Sequence, residues 1–226
     1  MGNPRICVSV RGENTQKVIE EIDRIEDHGP NYIEVRLDYA HRSLNLYRIR
    51  EATSVPLIAT NRGKRMRGHS CESDEERLES LRNACYAGFD IVDLSQRNPS
   101  LPDKIDILRE TGVKVILSYH DHNRTPDKKE MSQVYCRSRD YGCNICKIVG
   151  TAKRHEDNLK CLNFLAENKN DDLICFAMGK MGLVSRILSP LYGGFLTYAS
   201  AKAGRETAEG QLSIKEFIKV YNIIGV

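Results

Sequence analysis

No apolar run in this 226-residue chain approaches the ~20 residues that a membrane-spanning helix needs. The opening residues, Met1-Gly2-Asn3-Pro4-Arg5, lack the apolar segment of a signal peptide. Both absences point to a cytoplasmic protein without a membrane partner. No long stretch of one charge sign stands out: 34 basic residues face 31 acidic ones, for a net charge of +3. The one dense basic patch is Arg62-Gly63-Lys64-Arg65-Met66-Arg67. It has no interleaved aromatics, in a chain with no tryptophan and 7% aromatic content. It also matches no nucleic-acid motif, so no nucleic-acid partner is expected. A small anionic substrate, or a solvated loop, accounts for it more simply. Linkers rich in proline, glycine or serine are missing, as are low-complexity segments, which leaves one domain over residues 1–226. A hydrophobic content of 40% suits one large core.

Cysteine, by contrast, is plentiful: eight residues at positions 7, 71, 85, 136, 143, 146, 161 and 175. They are scattered, and several fall inside strand-like or helix-like patterns, where a reduced thiol packs as a small hydrophobe. Cys143-Asn144-Ile145-Cys146 is a lone pair at redox spacing, but it leads into a strand rather than opening a helix. No second ligand pair follows at zinc-site spacing. Free structural thiols are expected.

Strand and helix signals alternate from end to end. Short β-rich runs at 5–10, 32–38, 55–60, 90–94, 113–119, 144–149, 173–178 and 195–199 each precede a helical pattern. The helices are expected near 15–27, 44–52, 74–86, 101–110, 127–139, 153–167, 183–189 and 214–223. Ser73-Asp74-Glu75-Glu76 reads as a capped helix start with acid in the first turn. Eight β-α units in so short a chain imply an α/β fold, a (β/α)8 TIM barrel with few insertions. An open doubly wound sheet is the alternative, but no G-x-G-x-x-G follows the first strand.

Barrels of this type carry their sites at the C-terminal ends of the strands. Lys147 is the most informative residue there, a lone ammonium inside the apolar run Ile145-Cys146-Lys147-Ile148-Val149. A desolvated lysine ringed by arginines is expected to be a neutral, nucleophilic amine, the group that Schiff-base chemistry on a ketone requires. A snorkelling or ion-paired lysine is the competing reading. The fifth strand ends at His120-Asp121-His122. His120 suits general acid–base work, whereas metal binding by the two histidines would need further ligands from other strands. Alternation puts Glu34, Arg36 and Asp38 on one face of the second strand, facing a polar barrel mouth. Arg62 follows the third strand, Lys180 and Arg186 the seventh, and a polar loop at 202–211 the eighth.

Taken together, these segments resemble type I 3-dehydroquinate dehydratase, the Schiff-base dehydratase of the shikimate pathway, along essentially the whole chain. The motifs are Glu34-Val35-Arg36-Leu37-Asp38, Ala59-Thr60-Asn61-Arg62, Ser118-Tyr119-His120-Asp121 with Thr125-Pro126, Lys147-Ile148, Met178-Gly179-Lys180-Met181-Gly182-Leu183-Val184-Ser185-Arg186, and Gly210-Gln211. The resemblance implies that Lys147 forms the imine and His120 is the general acid/base. It implies that Glu34, Arg36, Arg62, Arg186 and Gln211 bind 3-dehydroquinate, with Thr207 at the place of a lid serine. It further implies a homodimer and neither a metal nor an organic cofactor. Two positions depart from the family's pattern. Met66 falls nearest a glutamate thought to orient the histidine, so either Glu72 or another acid substitutes, or the enzyme works without it. Ser95 replaces a common acid at the end of the fourth strand. The alternatives are a class I aldolase of a phosphorylated sugar, with 178–182 as a phosphate cradle, and a barrel that only binds a small anion.

Overall fold

The computed structural model describes residues 3–98, 100–169 and 172–226, so Met1 and Gly2 of the opening segment lie outside the described residues. Eight strands alternate with eight helices: β1 (Ile6–Val10), α1 (Thr15–Glu26), β2 (Tyr32–Arg36), α2 (Leu46–Glu51), β3 (Leu57–Thr60), α3 (Asp74–Tyr86), β4 (Ile91–Ser95), α4 (Leu101–Arg109), β5 (Lys114–His120), α5 (Lys128–Asp140), β6 (Ile145–Thr151), α6 (Asp157–Glu167), β7 (Leu173–Met178), α7 (Leu183–Leu188), β8 (Thr197–Ser200) and α8 (Ile214–Ile224). The strands form one parallel sheet in the order β7-β6-β5-β4-β3-β2-β1-β8. Phe195 N donates to Leu173 O at 2.8 Å, drawing the approach to β8 against β7 and nearly closing the ring. The fold is the (β/α)8 barrel expected from the alternation.

Helix starts follow their caps. Ser73 and Glu76 form a reciprocal capping box at α3, as do Asp127 and Glu130 at α5 and Ser213 and Glu216 at α8. Several boundaries differ from the sequence expectation by a few residues, two of them for clear local reasons. β2 stops at Arg36 and Leu37–Tyr39 turns as a 3-10 helix. There Arg36 grips both carboxylate oxygens of Asp38, at 2.9 and 2.8 Å, and the backbone curls to allow it. α6 starts at Asp157 rather than near 153, because the Asp157 carboxylate accepts from the Lys153 and Arg154 amides and ties them into a turn.

Strand alternation sorts the side chains into two layers. Val8, Val10, Ile33, Val35, Leu57, Ala59, Val92, Leu117, Ile148 and Cys175 face the helices in the outer core. Cys7, Ile58, Ile91, Ile116, Ile145 and Ile174 belong to the inner cluster and form an aliphatic plug. Two residues beyond the plug the character changes on five of these six strands, β7 staying apolar at Phe176. Ser9, Thr60, Asp93, Ser118 and Lys147 are all buried there, so the same periodicity that fills the barrel builds a polar layer above it.

All eight cysteines are free. Cys143 and Cys146 are buried, and burial pushes their thiols up to about 11 and about 12, which leaves them inert as a redox pair. No helix among the described residues is long and apolar enough to cross a membrane.

Candidate active site

Lys147 is the third residue of β6 and is 4% exposed. The expected arginines line the same cavity, but the groups closest to its nitrogen are anions. Its Nζ donates to Asp93 Oδ2 at 3.0 Å and lies 3.9 Å from Glu34 Oε1. The Tyr198 ring supports it from β8, 3.9 Å from Nζ to the ring centroid. The reason lies in the strand registers. Ser118 of β5 is aligned with Lys147, and Thr60 of β3 with Asp93, so one polar layer brings β4 and β6 charges together across the barrel. Asp93 and Glu34 are thus the charged groups nearest to Nζ.

Asp93 is the hub of the layer. Its carboxylate also accepts from Ser118 Oγ at 2.7 Å and from Arg62 Nη2 at 3.1 and 3.2 Å. Burial works against the anion, but Lys147, Arg62 and Ser118 outweigh it and hold the carboxyl at about 2. Arg62 turns its other nitrogen to His120, with Nη1 3.2 Å from Nδ1 and 3.1 Å from Nε2. A guanidinium only donates, so the imidazole presents a lone pair and is neutral here. Burial, then Arg62 and Lys147, push His120 well below its ordinary value. Glu72 does not reach the histidine. It takes hydrogen bonds from Asn61 Nδ2 and Ser70 Oγ on the far side of the β3–α3 loop. Among the described residues no carboxylate pairs with His120, and Met66 lines the cavity instead.

Glu34 accepts from Ser9 Oγ at 2.7 Å and Thr60 Oγ1 at 2.9 Å. Arg36, beside it, is kept protonated by Asp38 despite its burial. Arg186 differs from both. It sits on α7, is 1% exposed, and its Nε and Nη2 have no partner among the described residues. Its guanidinium packs 4.5 Å from the Phe176 ring centroid, and burial lowers it to about 10. A buried cation without an anion is costly, and this one borders the cavity.

The loop after β8 closes the mouth. Thr207 N and Oγ1 donate to Gln211 Oε1 at 2.8 and 3.3 Å. Gly179 N donates to Glu209 O at 3.1 Å, and Gly210, at φ +74°, passes so close to the Gly179 carbonyl that a Cβ would collide with it. Arg205 latches the loop to the body through Glu21 Oε1 on α1 and the Arg11 carbonyl. In the segment 178–182, a phosphate cradle only under the aldolase alternative, the Gly179 amide is taken up by this contact and Lys180 faces solvent.

All eight expected site residues (Glu34, Arg36, Arg62, His120, Lys147, Arg186, Thr207 and Gln211) line one cavity at the C-terminal ends of the strands. Sequence reasoning missed Asp93 and Tyr198, although Ile91-x-Asp93 and Leu196-x-Tyr198 repeat the inward spacing of Ile145-x-Lys147. His120 and His122 stack with centroids 6.0 Å apart. Among the described residues no group of three or more His, Cys, Asp or Glu is disposed to hold a metal ion.

Fold and site together define a (β/α)8-barrel enzyme with an ionic, lysine-centred mouth. Residues 6–226 match the model of the type I 3-dehydroquinase family. A 3-dehydroquinate dehydratase from Dehalococcoides mccartyi (strain 195) is 31% identical over 227 residues, 99% of this chain and 97% of its own. The type I 3-dehydroquinate dehydratase of Clostridium difficile, solved with covalently modified comenic acid, superposes with a TM-score of 0.88 at 28% identity, over 99% of this chain and 93% of that one. The 3-dehydroquinate dehydratase of Geobacillus kaustophilus gives 0.85 at 25% identity, over 99% and 91%. The chain belongs to the type I 3-dehydroquinase family, hydro-lyases of the shikimate pathway of aromatic amino acid biosynthesis.

Proposed function

We propose that this protein removes water from 3-dehydroquinate to give 3-dehydroshikimate through a protonated imine on Lys147, with His120 as the proton carrier. The observation that carries this reading is the pairing of a buried Lys147 with a neutral His120 from the adjoining strand, both lining one cavity with the unpaired Arg186. Arg186 takes the substrate carboxylate as a bidentate partner, which gives its buried charge the anion it lacks. Lys147 adds to the ketone. Of the three ammonium protons one stays on the imine nitrogen, and two leave with the ketone oxygen as water, relayed by Asp93 and Glu34. The cationic imine withdraws electrons from the neighbouring carbon. His120, held neutral by burial and by Arg62, accepts the proton there and returns it to the departing hydroxyl. Such help is worth roughly 10²–10⁴-fold. Water then hydrolyses the imine and frees Lys147. No step calls for a metal or an organic cofactor.

Glu34 and Arg62 act mainly through the protein groups they already bind, Lys147 and His120, whereas Arg36, Thr207 and Gln211 contact the substrate ring. The latched loop excludes water while the imine stands. Residues 1–226 work as one catalytic barrel, in the cytoplasm and as a homodimer, the last checked by light scattering. The test of the reaction is the rise of conjugated-enone absorbance from 3-dehydroquinate. Wild-type protein gives it, and Lys147→Ala and His120→Ala lose it. Enone formation by Lys147→Ala at the wild-type rate would end the imine reading.

A further inference from the structure

Tyr198 reaches into the barrel from β8 and lays its ring beneath the Lys147 nitrogen. The residue is 4% exposed and lines the cavity, yet its hydroxyl has no hydrogen-bond partner among the described residues. A buried hydroxyl without a partner is destabilising, and nothing in the packing needs it. Phenylalanine would fill the same space, 6.3 Å from the Phe176 ring, and would offer Nζ the same aromatic face. The neighbouring anions have not recruited it either. Glu34 is already served by the hydroxyls of Ser9 and Thr60, and Asp93 by Ser118, Arg62 and Lys147. Burial, followed by Glu34, Cys7 and Asp93, pushes the phenol well above its ordinary range, so it is a neutral donor at any working pH. A donor held in reserve beside the nucleophile fits an acceptor that arrives with the substrate.

We propose that Tyr198 is a further catalytic residue, whose hydroxyl donates a hydrogen bond to the ketone oxygen as Lys147 adds to its carbon. The inference rests on the imine reading above and assigns a role inside it. As the C–N bond forms, the carbonyl π pair moves onto oxygen, and the Tyr198 donor stabilises the charge that develops there. The phenol keeps its proton. The two protons that leave with this oxygen as water come from the Lys147 ammonium, so atoms and charge balance without an added acid.

Tyr198→Phe separates this role from a structural one. The expected variant melts at or above the wild-type temperature, because it loses only an unpaired polar atom. Its rate of forming a borohydride-reducible adduct in a single turnover falls by roughly 10²-fold. With that step slowed, the deuterium isotope effect for substrate labelled at the carbon next to the ketone shrinks towards one. A melting temperature lowered by several degrees would overturn the proposal, since the hydroxyl would already have had a partner. Adduct formation at the wild-type rate would overturn it equally. Failure of the imine reading itself looks different: wild-type protein would then form no reducible adduct at Lys147.

Discussion

Replacing Asp93 by asparagine removes a carboxylate that Lys147 and Arg62 share. The side chain is fully enclosed and meets the two cations at 3.0 and 3.1 Å. Its carboxyl lies at about 2 against an ordinary 3.8, which corresponds to about 2 to 3 kcal/mol of folding stability at neutral pH. The sign follows from the direction. A depressed carboxyl stabilises the fold above the unfolded value near 3.8, and that contribution is lost as the pH falls towards 2. The loss in Asp93→Asn is therefore about 2 to 3 kcal/mol, with some addition from two stranded cations. For a chain of this size that lowers the melting temperature by about 4 to 12 °C. Urea unfolding at pH 7 measures it directly. The double variant Asp93→Asn, Lys147→Met should lose less than the two single losses combined, because each removes part of the same interaction. If Asp93→Asn unfolds within about 0.5 kcal/mol of wild type, the carboxylate is not paired as described and the polar layer has been misread.

Arg186→Met should be more stable than wild type, by about 1 to 3 kcal/mol in urea, because it deletes a buried cation that has no anion in the free protein. The same variant should raise KM for 3-dehydroquinate by at least about 10²-fold, through loss of a bidentate, charge-assisted contact; a KM within two-fold of wild type would remove the carboxylate assignment. His120 is depressed by burial, Arg62 and Lys147, so the acid limb of kcat/KM should fall below pH 6.5, with the working neutral imidazole retained as the solution is acidified past that value. A half-maximal point above pH 6.5 would contradict it. Arg205→Ala frees the loop from Glu21 and the Arg11 carbonyl, and should speed proteolysis at 202–206 and raise KM several-fold while leaving the global melting temperature within about 2 °C. Unchanged proteolysis would mean that the latch does not hold the loop.

The barrel was legible because four of its strands obey one rule. Ile58-x-Thr60, Ile91-x-Asp93, Ile116-x-Ser118 and Ile145-x-Lys147 each place an aliphatic residue inward and a polar one two positions later. A period of two fixes which residues share the interior, and Lys147, His120, Glu34 and Arg36 could be placed on it. What the period leaves open is who pairs with whom across the ring. Asp93 carries the same inward spacing as Lys147, yet nothing in the chain order says that β4 and β6 meet over Tyr198, or that Arg62 turns to His120 instead of to solvent. The turn at Asp38 depends on the reach of the Arg36 side chain, which backbone patterning does not encode. The Arg205–Glu21 latch joins residues 184 positions apart, and only the closed ring brings them together. The basic residues of the motifs do gather round the cavity, but the motifs do not say that Asp93 and Glu34 stand nearest to Lys147.

The lysine adduct is the most direct test of the chemistry. Wild-type protein is mixed with 3-dehydroquinate, reduced with borohydride, digested and weighed peptide by peptide. The expected result is one added substrate-derived mass, on the peptide that contains Lys147, absent when substrate or borohydride is withheld and absent in Lys147→Ala. An adduct on Lys180 or another lysine, or turnover with no adduct at all, would contradict it.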